Sequence, residues 1–240
     1  MRTLTKRSLQ RLPRRLVPTF AAAAVALACA IVAHDAAAFD ECGELTNAYG
    51  PYDYRKDRDK LVIVEGAHFT QDVEALRAGR TGPLGGDIDY TLRASPNHPR
   101  ALIAMANLGR NLNTDRPPGA HYTVACYFDR AIRFAPDDPM VRLIYGTYLS
   151  RIGKPRDAIK ELEVARSFDE DNANIHYNLG LLYLDLKDYP KAREHAERAY
   201  ALGFTLPGLR KRLEEAGQWT PQAAVAPTNS AAQGKVPESK

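Results

Sequence analysis

The sequence has no glycine loop closed by Gly-Lys-Ser or Gly-Lys-Thr, so nothing in it predicts a nucleotide-phosphate cradle; Gly85-Gly86 lacks the lysine that would follow. HExxH and Gly-x-Ser-x-Gly are also absent, which removes the zinc-protease helix and the serine nucleophile elbow. His195-Ala196-Glu197 matches half of a deaminase signature, but the required Pro-Cys-x-x-Cys is missing, and the histidine reads as part of a helix surface beside Ala192 and Ala199. Only three cysteines occur, none in CxxC spacing, which excludes a metal site of the CxxC kind. No catalytic residue, metal or cofactor is expected, and the chain reads as a non-enzyme.

What is present begins with an asymmetric N-terminus. Arg2, Lys6, Arg7, Arg11, Arg14 and Arg15 fall in the first twenty residues without an acid, and an apolar run follows from Phe20 to Ala33. Ala36-Ala37-Ala38 then supplies the small side chains that signal peptidase needs, so residues 1–38 read as a secretion signal cleaved between Ala38 and Phe39. The run is short for a membrane span, which takes about 20 apolar residues. A retained anchor, or lipidation at Cys29, is the alternative. Export to the periplasm or beyond is the expectation.

Residues 1–38 hold six of the 33 basic and one of the 29 acidic side chains, leaving 27 against 28 for the remainder. The basic character of the whole chain therefore belongs to the leader, and nucleic acid is not an expected partner. The cluster Arg55-Lys56-Asp57-Arg58-Asp59-Lys60 interleaves both signs and reads as solvated surface. Cys42 and Cys126 remain after processing. They form one disulfide, or Cys126 is a small buried apolar residue; both readings stay open. Residues 220–240 lack aromatics and any apolar period, and their Ala, Pro, Ser and Gln content predicts a disordered tail.

The middle carries a period of 34 residues: Pro139–Asn172 lies over the segment that starts at Ala173 without a gap. Each unit reads as two amphipathic helices with a turn at Gly153-Lys154-Pro155 or Asp188-Tyr189-Pro190. Gly146 and Gly180 on the first helices, with Ala158 and Ala192 on the second, leave room for a close crossing. Leu149, Leu162 and Tyr183 fill the wider gaps. Such a pair cannot bury its apolar face alone, so neighbours must stack.

Tyr145-Gly146, Leu149, Ala158, Leu162 and Ala165, and in the next unit Leu179-Gly180, Tyr183, Ala192 and Ala199, resemble the tetratricopeptide repeat. A divergent unit spans about 99–138, with Phe128 and Ala131 in register and a long turn at 113–119; either Met105-Ala106 or Leu108-Gly109 is its tyrosine–glycine equivalent. Upstream, Thr70–Ala78 and Asp87–Ala94 read as a capping pair. Pro207–Gly217 reads as a closing helix with Leu209, Leu213 and Ala216 on one face. Residues 39–68 read as irregular, with a short strand possible at Leu61-Val62-Ile63-Val64. The fold class is thus an all-α helical-hairpin solenoid over 69–219.

In that family the first helices line a concave face. The resemblance implies a peptide groove formed by Arg100, Ile103, Asn107 and Arg110, then Met140, Leu143, Thr147 and Ser150, then Asn174, Tyr177 and Leu181. Leu181 and its neighbour Leu184 could equally be buried under the flanking helix. The family's carboxylate-clamp members place lysines where Ile103, Leu143 and Tyr177 stand, so an apolar or mixed peptide suits this lining better. The implied function is that of an adaptor holding another protein in the bacterial cell envelope. An accessory of an envelope enzyme or transport system acting through residues 40–68, and a self-assembling structural protein, are the alternatives.

Overall fold

The computed structural model describes residues 42–219; the leader, its cleavage point at Ala38 and Phe39, Cys29 and the tail at 220–240 lie outside the described residues. The chain divides into two compact units, residues 1–44 and 45–240. In the second, ten helices follow one another with no strand among the described residues: α1 Arg58–His68, α2 Gln71–Glu74, α3 Leu84–Ala94, α4 Pro99–Asn111, α5 Val124–Phe134, α6 Pro139–Arg151, α7 Pro155–Phe168, α8 Ala173–Asp185, α9 Tyr189–Ala201 and α10 Gly208–Glu215.

Three turns joining successive pairs are built alike from different residues. The amide of His98 bonds to Ser95 O, that of Asp138 to Ala135 O and that of Asn172 to Asp169 O. The same three residues then cap the next helix: His98 Nδ1 accepts from the Ala101 amide, Asp138 from Met140 and Val141, and Asn172 from Asn174 and Ile175. Pro99 and Pro139 stand at the first helical position, where no amide is needed. The helices end alike too. Asn113, Gly153 and Lys187 all take positive φ, and the next amide bonds to the carbonyl of Gly109, Leu149 or Tyr183.

These matched ends settle the register of the divergent unit. Met105-Ala106 corresponds to Tyr145-Gly146 and Leu179-Gly180, and Gly109 takes the place of Leu149 and Tyr183.

Close crossings explain the small residues. A Cβ on Gly146 would lie 2.8 Å from Leu162 Cγ and 3.1 Å from the Ala158 carbonyl oxygen. On Gly180 it would meet Leu209 of α10 at 2.5 Å and the Ala192 carbonyl oxygen at 3.3 Å. Ala158, Ala165, Ala192, Ala196 and Ala199 are fully buried between these helices. In the divergent unit Val124 occupies the alanine place, and Gly109 opposite it would put a Cβ 2.8 Å from Val124 Cγ2. The bulk has changed sides.

Four expectations are corrected. Leu61–Val64 is helical: Leu61 and Val64, three residues apart, are buried while Val62 and Ile63 face out, a helical period that overrides their β-branched preference. The helix predicted over Thr70–Ala78 shortens to the single turn α2, because Leu76 takes a positive φ that ends it. Ala216 is exposed, so the buried apolar face of α10 is Leu209 and Leu213. His195 is buried rather than on a helix surface, and its Nδ1 lies 3.0 Å from His176 Nδ1.

Residues 47–57 are irregular yet tied down. Tyr52 donates its amide to Ala94 O, and Tyr54 donates its own to Asn97 Oδ1. Gly50 has φ +94 and passes so close to Ala94 O that a Cβ would lie 2.4 Å away. Cys42 and Cys126 are each disulfide-bonded. No helix among the described residues is long and apolar enough to cross a membrane.

Candidate functional site: a groove along three first helices

Because α4, α6 and α8 pack side by side, one face of each is left uncovered by the second helices. That face forms a cavity of about 470 Å³. Ile103, Ala106, Asn107 and Arg110 come from α4; Met140, Leu143, Ile144, Thr147, Tyr148 and Arg151 come from α6, with Ile152 just beyond; Asn174, Tyr177 and Asn178 come from α8. Phe204 and Leu206, in the connection between α9 and α10, close one end.

Of the residues expected to form a groove, the structure brings together Ile103, Asn107, Arg110, Met140, Leu143, Thr147, Asn174 and Tyr177. Arg100, Ser150 and Leu181 are not part of the lining. Arg100 is drawn away by two carboxylates, Glu74 at 2.9 Å and Glu65 at 3.0 Å, and its guanidinium lies over the Phe69 ring. Leu181 packs against the core shared by α6 to α10, and Leu184 is buried there.

Sequence reasoning missed Ala106, Ile144, Tyr148, Arg151, Ile152, Asn178, Phe204 and Leu206. Tyr148 and Arg151 lie one step further round the helix than the positions the family resemblance supplies. Phe204 and Leu206 did leave a signal: two large apolar residues in the six-residue connection 202–207, beside Pro207, have no helix face to bury them.

The floor is apolar and aromatic. Tyr177 and Phe204 stack with centroids 4.0 Å apart, and Tyr148 stacks on Phe128 behind the wall. Of the ten exposed large apolar side chains among the described residues, four, Ile103, Met140, Ile152 and Leu206, collect at this cavity, so its apolar surface is more than scattered leakage.

The polar atoms are few. Thr147 Oγ1 donates to its own helix at Leu143 O, 2.8 Å away, and Asn178 Nδ2 donates to Asn174 O at 2.8 Å. Asn174 is exposed at the rim. The charged lining residues are Arg110 and Arg151, with no carboxylate beside them in the wall. No group of three or more His, Cys, Asp or Glu side chains among the described residues could hold a metal ion.

A family model described as "Tetratricopeptide repeat" matches residues 173–203, the α8–α9 pair. Two curated relatives are the "Protein O-mannosyl-transferase TMTC3" of Mus musculus, 32% identical over 99 residues, and that of Homo sapiens, 31% identical over 114 residues. The matches take in 41% and 47% of this chain but only 10% and 12% of those proteins, so the chain spans about a tenth of their length. Among solved structures, a crystal structure of MamA protein is similar at 17% identity and a TM-score of 0.46, covering 65% of this chain and 82% of that one.

Proposed function

We propose, from the premise that this chain is a tetratricopeptide-repeat protein, that it holds a segment of another polypeptide in the groove along α4, α6 and α8 and acts on that partner by binding rather than by chemistry. The observation that carries the reading is the gathering of exposed Ile103, Met140, Ile152 and Leu206 around a wall of half-buried Tyr148 and Tyr177. Exposed apolar side chains around a pocket of stacked aromatics suit the anchor residues of a peptide. We further propose that the partner is met outside the cytoplasm, in the bacterial cell envelope. The support is the basic head, apolar run and Ala36-Ala37-Ala38 of the leader.

A photoreactive benzoylphenylalanine at Thr147, compared with one at Phe168 on the outer surface of α7, tests the groove. Adducts with a discrete polypeptide in an envelope extract are expected at Thr147 and not at Phe168. The same products at both positions, or none at Thr147, would end the reading. N-terminal sequencing tests the location: the protein in the envelope fraction should begin at Phe39, and an intact leader on cytoplasmic protein would contradict export.

A second reading is favoured by the relatives, which are named as mannosyltransferases. On that reading this chain serves as the repeat module of an envelope enzyme. Residues 47–57 are a poor place for such a partner, because Tyr52, Asp53 and Tyr54 already bond to Ala94 and Asn97. The groove would again be the contact, and the adduct at Thr147 would identify the enzyme.

A further inference from the structure

We propose that Arg110 and Arg151 form a carboxylate site at one side of this groove, so that the segment it takes carries an aspartate or glutamate next to large apolar side chains. The inference rests on the groove reading above and deepens it.

Arg110 lies in the last turn of α4 and Arg151 in that of α6, on neighbouring helices. Their guanidinium groups converge on one neutral oxygen, Asn107 Oδ1, at 3.3 Å from Arg110 Nη2 and 3.4 Å from Arg151 Nη1. Both bonds are long for N–H to O, and a single amide oxygen is a weak acceptor for two planar forks. Neither arginine has a carboxylate within salt-bridge reach among the described residues. Away from the groove, arginines of the same repeats take full ion pairs, as Arg142 does with Glu161 at 2.7 Å and Arg166 with Glu163 at 2.8 Å.

An arginine in the last turn also favours its own helix dipole. That accounts for one cation per helix, and not for two turning towards the same atom. A carboxylate is the ligand that two adjacent forks can grip together. Beside them, Ile103, Ile144, Tyr148 and Ile152 offer apolar surface to the neighbouring residues of the same segment. Two like charges against a low-dielectric wall with no acid in it select for negative charge in the occupant.

The chain's own ends fit this poorly. The leader carries six basic residues and one acid, and the segment 220–240 carries Lys235 and Lys240 against Glu238. The occupant is therefore another polypeptide. Both arginines are exposed at the rim rather than enclosed, so a chain can run past them, and the carboxylate is that of an internal side chain.

The test is a library of random peptides displayed as internal loops on a carrier and panned against the full chain. Binders lost in the Met140→Glu variant should be enriched for Asp or Glu within two residues of Leu, Ile, Met or Phe. Their affinity should drop about tenfold or more in the Arg110→Gln/Arg151→Gln double variant, and should weaken with added salt. The substituted side chains are exposed, and circular dichroism confirms that the fold is kept. Groove-dependent binders without an acid, or indifferent to the double variant, overturn the carboxylate site and leave the groove standing. Binding only by a library displayed with a free C-terminus overturns the internal side chain as the source. An absence of any binder sensitive to Met140→Glu overturns both.

Discussion

The two halves of the repeat body solve the same packing problem with different chemistry. From α6 onward the helices cross on glycine and alanine, and the interior is almost wholly apolar. Among the described residues, eight of the ten buried polar or charged side chains fall before α6: Asp87, Asp89, Thr91, Ser95, Asn97, His98, Arg130 and Asp138. Two of the three carboxylates among them, Asp87 and Asp89, sit where the chain leaves the repeat pattern. Asp87 accepts from the amides of Arg80 and Thr81 and from the Thr81 hydroxyl, holding the turn before α3. Asp89 accepts from Tyr127 Oη, His121 Nδ1 and Arg93 Nε, pinning the long connection before α5. A regular hairpin satisfies its own backbone and needs only small residues at the crossing. An irregular segment exposes amides that must be met, and a buried carboxylate meets several at once.

Two residues stand in the same place, one in each half, and hold very different amounts of structure. Asp138 caps α6 with one oxygen and accepts from Asn97 Nδ2 at 2.9 Å with the other, beside Arg55. Asn172 caps α8 and otherwise bonds only to Asp169 next to it. Asp138→Ala loses a cap and the charged acceptor of one Asn97 amide hydrogen, the other staying on Asp53 Oδ1, for about 3 kcal/mol. Asn172→Ala loses the cap, for about 1 kcal/mol. Denaturant unfolding of the two variants measures the difference, and equal losses would refute the contrast.

Acid should act on the same contrast through His98. Its Nδ1 accepts from the Ala101 amide while Nε2 donates to Glu65, 2.9 Å away, so the ring is held neutral. Burial is the main cause that depresses its pKa to about 4 from 6.5. Between those values the unfolded chain binds more protons than the folded one. The stability conferred is present above pH 6.5 and is lost as the pH falls through that value towards 4, by up to about 3 kcal/mol. His195, buried against His176, is shifted in the same direction by burial first and by its neighbour second, and adds a loss of the same sign. His98→Asn, which installs the cap that Asn172 provides in the later repeat, should flatten much of the slope measured by unfolding between pH 7 and 4. An unchanged slope would remove His98 as its source.

The crossing itself can be exchanged between halves. Gly109→Leu alone collides with Val124 and should cost about 2 kcal/mol. With Val124→Ala, which restores the pairing of Leu149 and Ala158, about half of that should return. The Thr114 carbonyl oxygen, 3.0 Å from the added Cβ, prevents full recovery. The coupling energy from the double-mutant cycle is the readout, and additivity would show that the two sites do not share the space.

How much of this was legible follows the same division. Where a 34-residue period governs, residues stand for positions: Gly146 and Gly180 could be placed at crossings, and Ile103, Met140, Leu143 and Tyr177 on one face, from spacing and family resemblance alone. Where the period fails, neighbours far along the chain decide. Nothing near Leu61–Val64 announces that Leu61 and Val64 are to be buried as one helix face, and β-branched residues in sequence read equally as strand. Leu76 ends a helix through a backbone angle that no pattern in Thr70–Ala78 marks. Arg100 has the right register for the groove, yet Glu65 and Glu74 from the irregular half capture it. The arginine pair escaped because Arg110 and Arg151 meet across two helices 41 residues apart, through an asparagine that belongs to only one of them.

The smallest effect tests whether the repeats share their helix ends as closely as the hydrogen bonds suggest. Gly153 takes φ +77 without strain, while Lys187 at the matching place is forced to φ +61 and Asn113 to +50. A left-handed residue with a Cβ costs about 1 kcal/mol, and asparagine bears it better than lysine. Lys187→Gly should therefore stabilise the chain by about 0.5–1 kcal/mol, offset in part by glycine's greater freedom in the unfolded state. Asn113→Gly should gain less, and Gly153→Lys should lose about as much as Lys187→Gly gains. Unfolding midpoints in urea order the three. If Lys187→Gly destabilised the protein, the lysine would be contributing contacts that outweigh its strained backbone, and the three helix ends would be alike in geometry but not in energy.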